Sequence, residues 1–261
     1  VSASYGYSLN RIRKIKILNK SRSSFLLKIS FENPESFLHE LIYSSMMIGK
    51  NKIIDIQIDE FFQPKNLPSL LKTLKNIQYL INYNKIFFTP ITESQKKFLN
   101  KKFSQFGLTI HYSLVERSVS NNFLSNKKRS KIIALRGLGK GLRNFTFEDF
   151  YLNKSKKKLN NLDNILFKFK MSEIEARALY IFNNKAIDKV VLSTSKLKNL
   201  AQLLKLEKNK LEIKKWRILE KYSKDNFEHK KMRLPKNQNS FIKRHNAIIF
   251  CQKLLLLQIL Q

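Results

Sequence analysis

Two hydrophobic periods alternate along the first half of the chain, and this alternation restricts the fold more than any other feature. Lys52 to Ile58 places Ile54, Ile56 and Ile58 on one face of an extended strand. Leu67 to Tyr83 then spaces its apolar residues at 67, 70, 71, 74, 77, 80 and 81, a helical pattern that follows Pro68. Lys85 to Phe88 is a short apolar strand closed by Thr89 and Pro90. Thr92 to Phe106 predicts an amphipathic helix with Phe98, Phe103 and Phe106 inward, ended by Gly107, and Leu108 to Val115 predicts a further strand. Upstream, Phe25 to Phe31 reads as a strand. Asn33-Pro34-Glu35-Ser36 signals the start of a helix that runs over Ser36 to Ile48 and ends at Gly49. The rhythm returns later as a strand over Asn164 to Phe169, a helix over Ser172 to Phe182 and a strand over Ile187 to Leu192. Strands separated by helices require crossovers, so the expectation is an α/β protein with a parallel sheet flanked by helices.

Charge constrains the partner rather than the fold. The 261 residues carry 51 Lys and Arg against 19 Asp and Glu, a formal net charge of +32. So much like charge repels itself and gains from a polyanion, of which a phosphate backbone is the obvious example. A hydrophobic content of 43%, with 20 Phe and 9 Tyr, supplies a core and excludes a merely disordered basic tail. The single cysteine, Cys251, excludes an intrachain disulfide and a cysteine-based zinc site. His39, His111, His229 and His245 lack ligand spacing and read as surface or packing residues. Abundant Lys, Asn, Ile, Phe and Leu are the products of A/T-rich codons, as in organellar genomes. The apolar run Ala247 to Leu260 is too short for a bilayer, carries Lys253, and reads as a packing helix.

The basic residues cluster. Arg11, Arg13, Lys14 and Lys16 open the chain. Lys127, Lys128, Arg129 and Lys131 precede the apolar stretch Ile132 to Leu135, and Arg136, Lys140 and Arg143 follow it. Lys154, Lys156, Lys157 and Lys158, then Lys214 and Lys215, then Lys230, Lys231 and Arg233 complete the set. With little acidic counterweight, they are expected to form a distributed RNA-phosphate surface. Arg136-Gly137-Leu138-Gly139-Lys140-Gly141 invites a phosphate-loop reading. However, position 142 is Leu where the dinucleotide fingerprint needs glycine, and the Gly-Lys-Ser/Thr of a triphosphate loop is absent. It is expected instead to be a flexible loop at which Arg136, Lys140 and Arg143 approach RNA. Asp55, Asp59 and Glu60 lie near strand ends, with Glu116 and Asp163 as distant partners for a metal-dependent nuclease. The alternative is that these carboxylates balance nearby lysines.

The order of the segments resembles the universal second protein of the small ribosomal subunit, in its mitochondrially encoded form. The resemblance rests on Lys52-Ile53-Ile54-Asp55-Ile56, on the helix 67–83, on Ile86-Phe87-Phe88-Thr89 and on Ser120 to Asn126. It continues through Leu162 to Phe167, Glu175 to Ile181, Leu192 to Ser195 and Leu234 to Phe241. It implies a flavodoxin-like sheet with basic helical or loop insertions. It implies a structural constituent of the mitochondrial small ribosomal subunit, in the matrix, bound to ribosomal RNA and to neighbouring ribosomal proteins. Family members are not enzymes, so the resemblance implies no cofactor, no metal, no small-molecule substrate and no membrane partner. The competing readings are an RNA-processing nuclease and another organellar ribosomal or assembly protein. The expected organisation is a basic segment 1–24, a first core part 25–126, a basic connection 127–161, a second core part 162–195, a basic helical insertion 196–233 and a C-terminal helix 234–261.

Overall fold

The computed structural model of the chain describes residues 25–31, 33–49, 53–59, 62–79, 81, 83–102, 106–119, 124, 131–139, 156–192 and 197–227. The chain divides into two compact units, residues 1–87 with 233–261, and residues 88–232. Among the described residues no helix is long and apolar enough to cross a membrane.

In the first unit, β1 (Phe25–Ile29) lies parallel to β2 (Ile54–Ile58), in register from Phe25 opposite Ile54 to Ile29 opposite Ile58. The connection is α1 (Pro34–Ile48). Asn33 caps α1 by accepting the Ser36 N–H at 2.9 Å, with Pro34 in the first turn, where its missing N–H leaves no helical bond unmade. A 3₁₀ turn (Pro64–Asn66) leads into α2 (Leu67–Ile77), which buries Leu67, Leu70, Leu74 and Ile77 at helical spacing. Then comes β3 (Tyr83–Phe88), next to β2 in the sheet.

The second unit starts with α3 (Glu93–Lys102), whose start is tied down by Gln95: its Oε1 accepts the N–H groups of Ile91 at 2.9 Å and Thr92 at 3.0 Å. Strand β4 (Gly107–Ser113) is buried along its whole length and folds back through Leu114 and Val115 into the short antiparallel β5 (Glu116–Arg117). Parallel to β4 runs β6 (Ile132–Leu135), and parallel to β6 runs β7 (Lys189–Val190). Between β6 and β7 come α4 (Lys156–Phe169) and α5 (Glu173–Phe182); α6 (Leu197–Glu207) and α7 (Ile213–Phe227) follow β7. Helix α5 opens on a reciprocal capping box between Ser172 and Glu175, and those hydrogen bonds from Ser172 hold the Glu175 carboxyl below its ordinary range. Both α6 and α7 pack against α5. Leu203 and Leu206 of α6 close a cluster with Ala178 and Leu179.

Two expectations fail here. Residues 164–169 are not a strand but the last turns of α4. Leu162 and Leu166 are buried one helical turn apart, while Phe167, the residue after Leu166, is 86% exposed. Read alone, the short run Ile165 to Phe169 fits either period. The flavodoxin-like sheet also fails. Such a sheet reverses its direction of growth once, because right-handed crossovers place helices on both faces only if the order reverses. Within each unit the strands instead follow chain order, β1–β2–β3 and β4–β6–β7. A parallel sheet that grows in one direction carries its crossover helices on one face, and its other face is covered when the sheet curls, as in a β/α barrel. Strand β4 shows both surfaces. Leu108, Ile110 and Tyr112 alternate with the equally buried Thr109, His111 and Ser113, and Tyr112 meets Tyr180 of α5.

The basic residues Arg11, Arg13, Lys14, Lys16, Lys127, Lys128, Arg129, Lys140, Arg143, Lys154, Lys230, Lys231 and Arg233 lie outside the described residues, as do Glu60, His229, His245, Cys251 and the expected helix 247–260.

Candidate active site at the strand ends

In parallel β/α sheets, ligands are taken at the carboxyl ends of the strands, where loops are free to vary over a fixed frame. In the second unit that edge is formed by the turn after β4, the loop after β6 and the residues after β7.

The loop after β6 turns sharply. Arg136 has φ +56° and Gly139 has φ +74°. A non-glycine residue in this region is uncommon, and where it occurs at a strand end it marks a position held by its surroundings. Gly139 donates its N–H to the Arg136 carbonyl at 2.6 Å, which closes the turn. A Cβ on Gly139 would stand 2.6 Å from Val115 and 2.7 Å from Arg177; one on Gly137 would stand 2.6 Å from Val190. These side-chain contacts leave no room for a methyl group unless the neighbours shift, and at Gly139 the left-handed φ adds to the case for glycine. Gly137 donates to the Val191 carbonyl at 3.4 Å, so the loops following β6 and β7 lie side by side.

Charges surround this turn. Arg136 donates to Glu116 Oε1 at 3.1 Å, and His111 Nδ1 stands 3.6 Å from the same oxygen. Glu116 is fully buried, while the Arg136 side chain remains 31% exposed. From below, the buried guanidinium of Arg177 donates to the Leu138 carbonyl at 2.6 Å and pairs with Glu173. Arg177 is therefore a strut for the loop rather than a group open to a ligand.

A second buried network docks α7. Tyr180 donates to Glu220 Oε2 at 2.5 Å, and Arg117 donates to Glu220 Oε1 at 2.9 Å. The rings of Tyr112, Tyr180 and Trp216 form a stack, with centroids 6.1 Å and 5.9 Å apart, and the Trp216 indole N–H reaches the Tyr180 carbonyl at 3.0 Å. Burial pushes the Tyr112 hydroxyl up to about 12 and the Tyr180 hydroxyl well above its ordinary value.

Within the first unit, Ser30 and Asp59 follow β1 and β2 at the carboxyl ends of those strands; the Ser30 hydroxyl donates to the Asp59 carboxylate at 2.5 Å. Asp55 sits earlier on β2 and accepts from the Asn84 amide at 3.1 Å.

Among the described residues the expected carboxylate site does not assemble. Asp163 lies on helix α4 and not on a strand, and Glu116 is matched by Arg136. Among the described residues no three His, Cys, Asp or Glu side chains gather as a metal site. Of the expected phosphate contacts, Arg136 lies at the strand edge, Lys131 just before β6, Lys214 and Lys215 on α7, and Lys156, Lys157 and Lys158 in the first turn of α4. Arg117, Arg177 and Glu220 are the residues that the search for surface charge missed. A signal was present at one of them: Glu173 and Arg177 stand four apart on a helix, and Arg177 interrupts the apolar run Ala176 to Ile181.

No family model and no curated protein matches the sequence. Comparison of folds is informative. The structure is similar to an aldo-keto reductase from Bacillus halodurans in its holo form, with a TM-score of 0.66, 14% identity, and coverage of 80% of this chain and 74% of that one. It is similar to an aldo-keto reductase from a Medee basin deep-sea metagenome library, with a TM-score of 0.64, 10% identity, and coverage of 89% and 82%. It is likewise similar to a glycerol dehydrogenase from Gluconobacter oxydans, with a TM-score of 0.64, 12% identity, and coverage of 85% and 78%. The fold is thus similar to that of these β/α enzymes. This overturns the resemblance to the ribosomal family and what hung on it: the structural role in a small ribosomal subunit, the ribosomal RNA and protein partners, and the expectation that the chain is not an enzyme. The alternatives of a nuclease and of a ribosomal assembly protein fall with it, since each leaned on a flavodoxin-like sheet or on a carboxylate cluster that is not formed among the described residues.

Proposed function

We propose that the chain is an oxidoreductase of the aldo-keto reductase kind, acting on a small aldehyde, ketone or corresponding alcohol with a nicotinamide dinucleotide. The observation that carries this reading is the turn Arg136 to Gly139, pressed against the loop after β7 by Gly137. In β/α barrels the loops after the last strands commonly form a phosphate site. This turn suits one end of a dinucleotide. It is tight, lacks Cβ atoms at its two close approaches, is braced by Arg177, and carries the part-exposed guanidinium of Arg136, which also pairs with Glu116. The cofactor supplies the hydride when bound. The chain's own part is to hold the phosphate through Arg136 and the turn.

Titrating the purified chain with NADPH and with NADH, followed by nicotinamide fluorescence, tests the reading. Saturable binding is expected, weakened roughly tenfold by Arg136→Ala, which is about 1.4 kcal/mol. Absence of binding at millimolar dinucleotide would rule the reading out. Carbonyl-dependent oxidation of the reduced dinucleotide would extend it to turnover.

A further inference from the structure

The outer faces of α4, α6 and α7 in the second unit are left unexplained by a small-molecule enzyme. Helix α7 turns Leu219, Tyr222, Ser223 and Phe227 inward. On the opposite stripe Lys214, Arg217, Ile218 and Lys221 recur at spacings of three and one, all of them exposed. Ile213, at its start, is 71% exposed, and Phe167, near the end of α4, is 86% exposed. Lys215 stands 5.9 Å from the Phe169 ring centre, which brings the end of α4 beside the start of α7. Leu204 of α6 is also exposed, on a helix packed on the same α5. Residues 197–227 carry nine Lys and Arg against four acids, and one of those acids, Glu220, is turned inward to Arg117.

We infer that this face is a docking surface for an anionic lipid membrane, on which the second unit lies without crossing it. Lysine ammonium groups sit at the level of anionic headgroups, while Phe, Ile and Leu side chains between them enter the acyl boundary. The mixture fits other polyanions and partners less well. Single-stranded nucleic acid is gripped by aromatic platforms and Arg, whereas Ile and Leu offer no π-face to a base. The cores of protein interfaces are depleted in Lys and enriched in Tyr, Trp and Arg.

Cosedimentation of the full chain with vesicles, at about 0.15 M salt where the Debye length is about 8 Å, tests the assignment. Binding is expected to vesicles of phosphatidylcholine mixed with phosphatidylglycerol and not to phosphatidylcholine alone. The Lys214→Gln/Arg217→Gln/Lys221→Gln variant should lose at least roughly tenfold in partitioning, given what each basic residue contributes near a charged surface. The Phe167→Ser/Ile213→Ser variant should also partition less, with an unchanged melting temperature to show that it folds. The inference is overturned if the chain ignores both vesicles, binds them equally, or binds the mixed vesicles with both variants unaffected. It is also overturned if the wild type binds a single-stranded RNA oligonucleotide and Phe167→Ser/Ile213→Ser abolishes that binding. A shift from dimer to monomer caused by the same variant, seen by light scattering, would assign the face to a second copy instead.

Discussion

Lys170 closes α4 in a left-handed conformation, φ +50°, where its N–H donates to Phe167 and the next one, from Met171, donates to Leu166. That pair of bonds is the usual glycine-ended stop of a helix, here built with a side chain that resists it. Lys170→Gly should therefore stabilise the chain by about 1 kcal/mol, the order of the left-handed penalty for a residue with a Cβ, as read from chemical denaturation. An unchanged or lower midpoint would show that the lysine side chain offsets its own strain. Gly139 presents the opposite case. Its φ is +74° and Val115 and Arg177 crowd the place of a Cβ, so the residue that a motif search dismissed for a missing third glycine is fixed by packing. The pattern Gly-x-Gly was visible in the sequence, but its meaning depended on neighbours 24 and 38 positions away.

Helix α7 shows how a helix that reads as surface becomes structural. Its charges suggested a phosphate-binding insertion, yet Glu220 pairs with buried Arg117 and accepts from Tyr180, and the helix contacts β5, α4 and α5. A buried pair of this kind carries a pH signature through its tyrosines. The folded state keeps the Tyr112 hydroxyl protonated up to about 12, whereas the unfolded chain ionises near 10. The stabilisation is complete below about pH 10 and is lost as pH rises through 12, on the order of 3 kcal/mol. Melting temperature should therefore fall steeply between these values in the wild type and less steeply in Tyr112→Phe. Parallel curves for the two would place the alkaline transition elsewhere. At this scale the sequence was a good guide wherever an element had a clear period and a cap. The starts of α1 and α2 could be read from Asn33-Pro34 and Pro68, the strand β2 from its alternating isoleucines, and β4 from the apolar run that follows Gly107. It was a poor guide at α4, where a solvent-exposed Phe167 imitates strand alternation.

For the whole molecule, the βαβ rhythm is identical in a doubly wound sheet and in a barrel; what separates them is the order in which strands lie, and no residue states that order. Strand-end chemistry was equally hidden, because Ser30 and Asp59 are 29 positions apart and only the β1–β2 pairing joins them. The +32 charge, by contrast, was plain and remains a whole-chain property. Self-repulsion on that scale is screened by salt, so the melting temperature should rise by a few degrees between low salt and about 0.5 M NaCl, roughly 2–4 °C per kcal/mol for a chain of this size. A flat profile would mean that ion pairing already neutralises the repulsion. Trp216, the single tryptophan of the chain, adds a practical consequence. Its indole is stacked on Tyr180 and hydrogen-bonded to the Tyr180 carbonyl, so its emission is tied to one event, the seating of α7. Excitation at the red edge of the aromatic band thus isolates a single native fluorophore, and its colour and lifetime become a clock for undocking of that helix without any label.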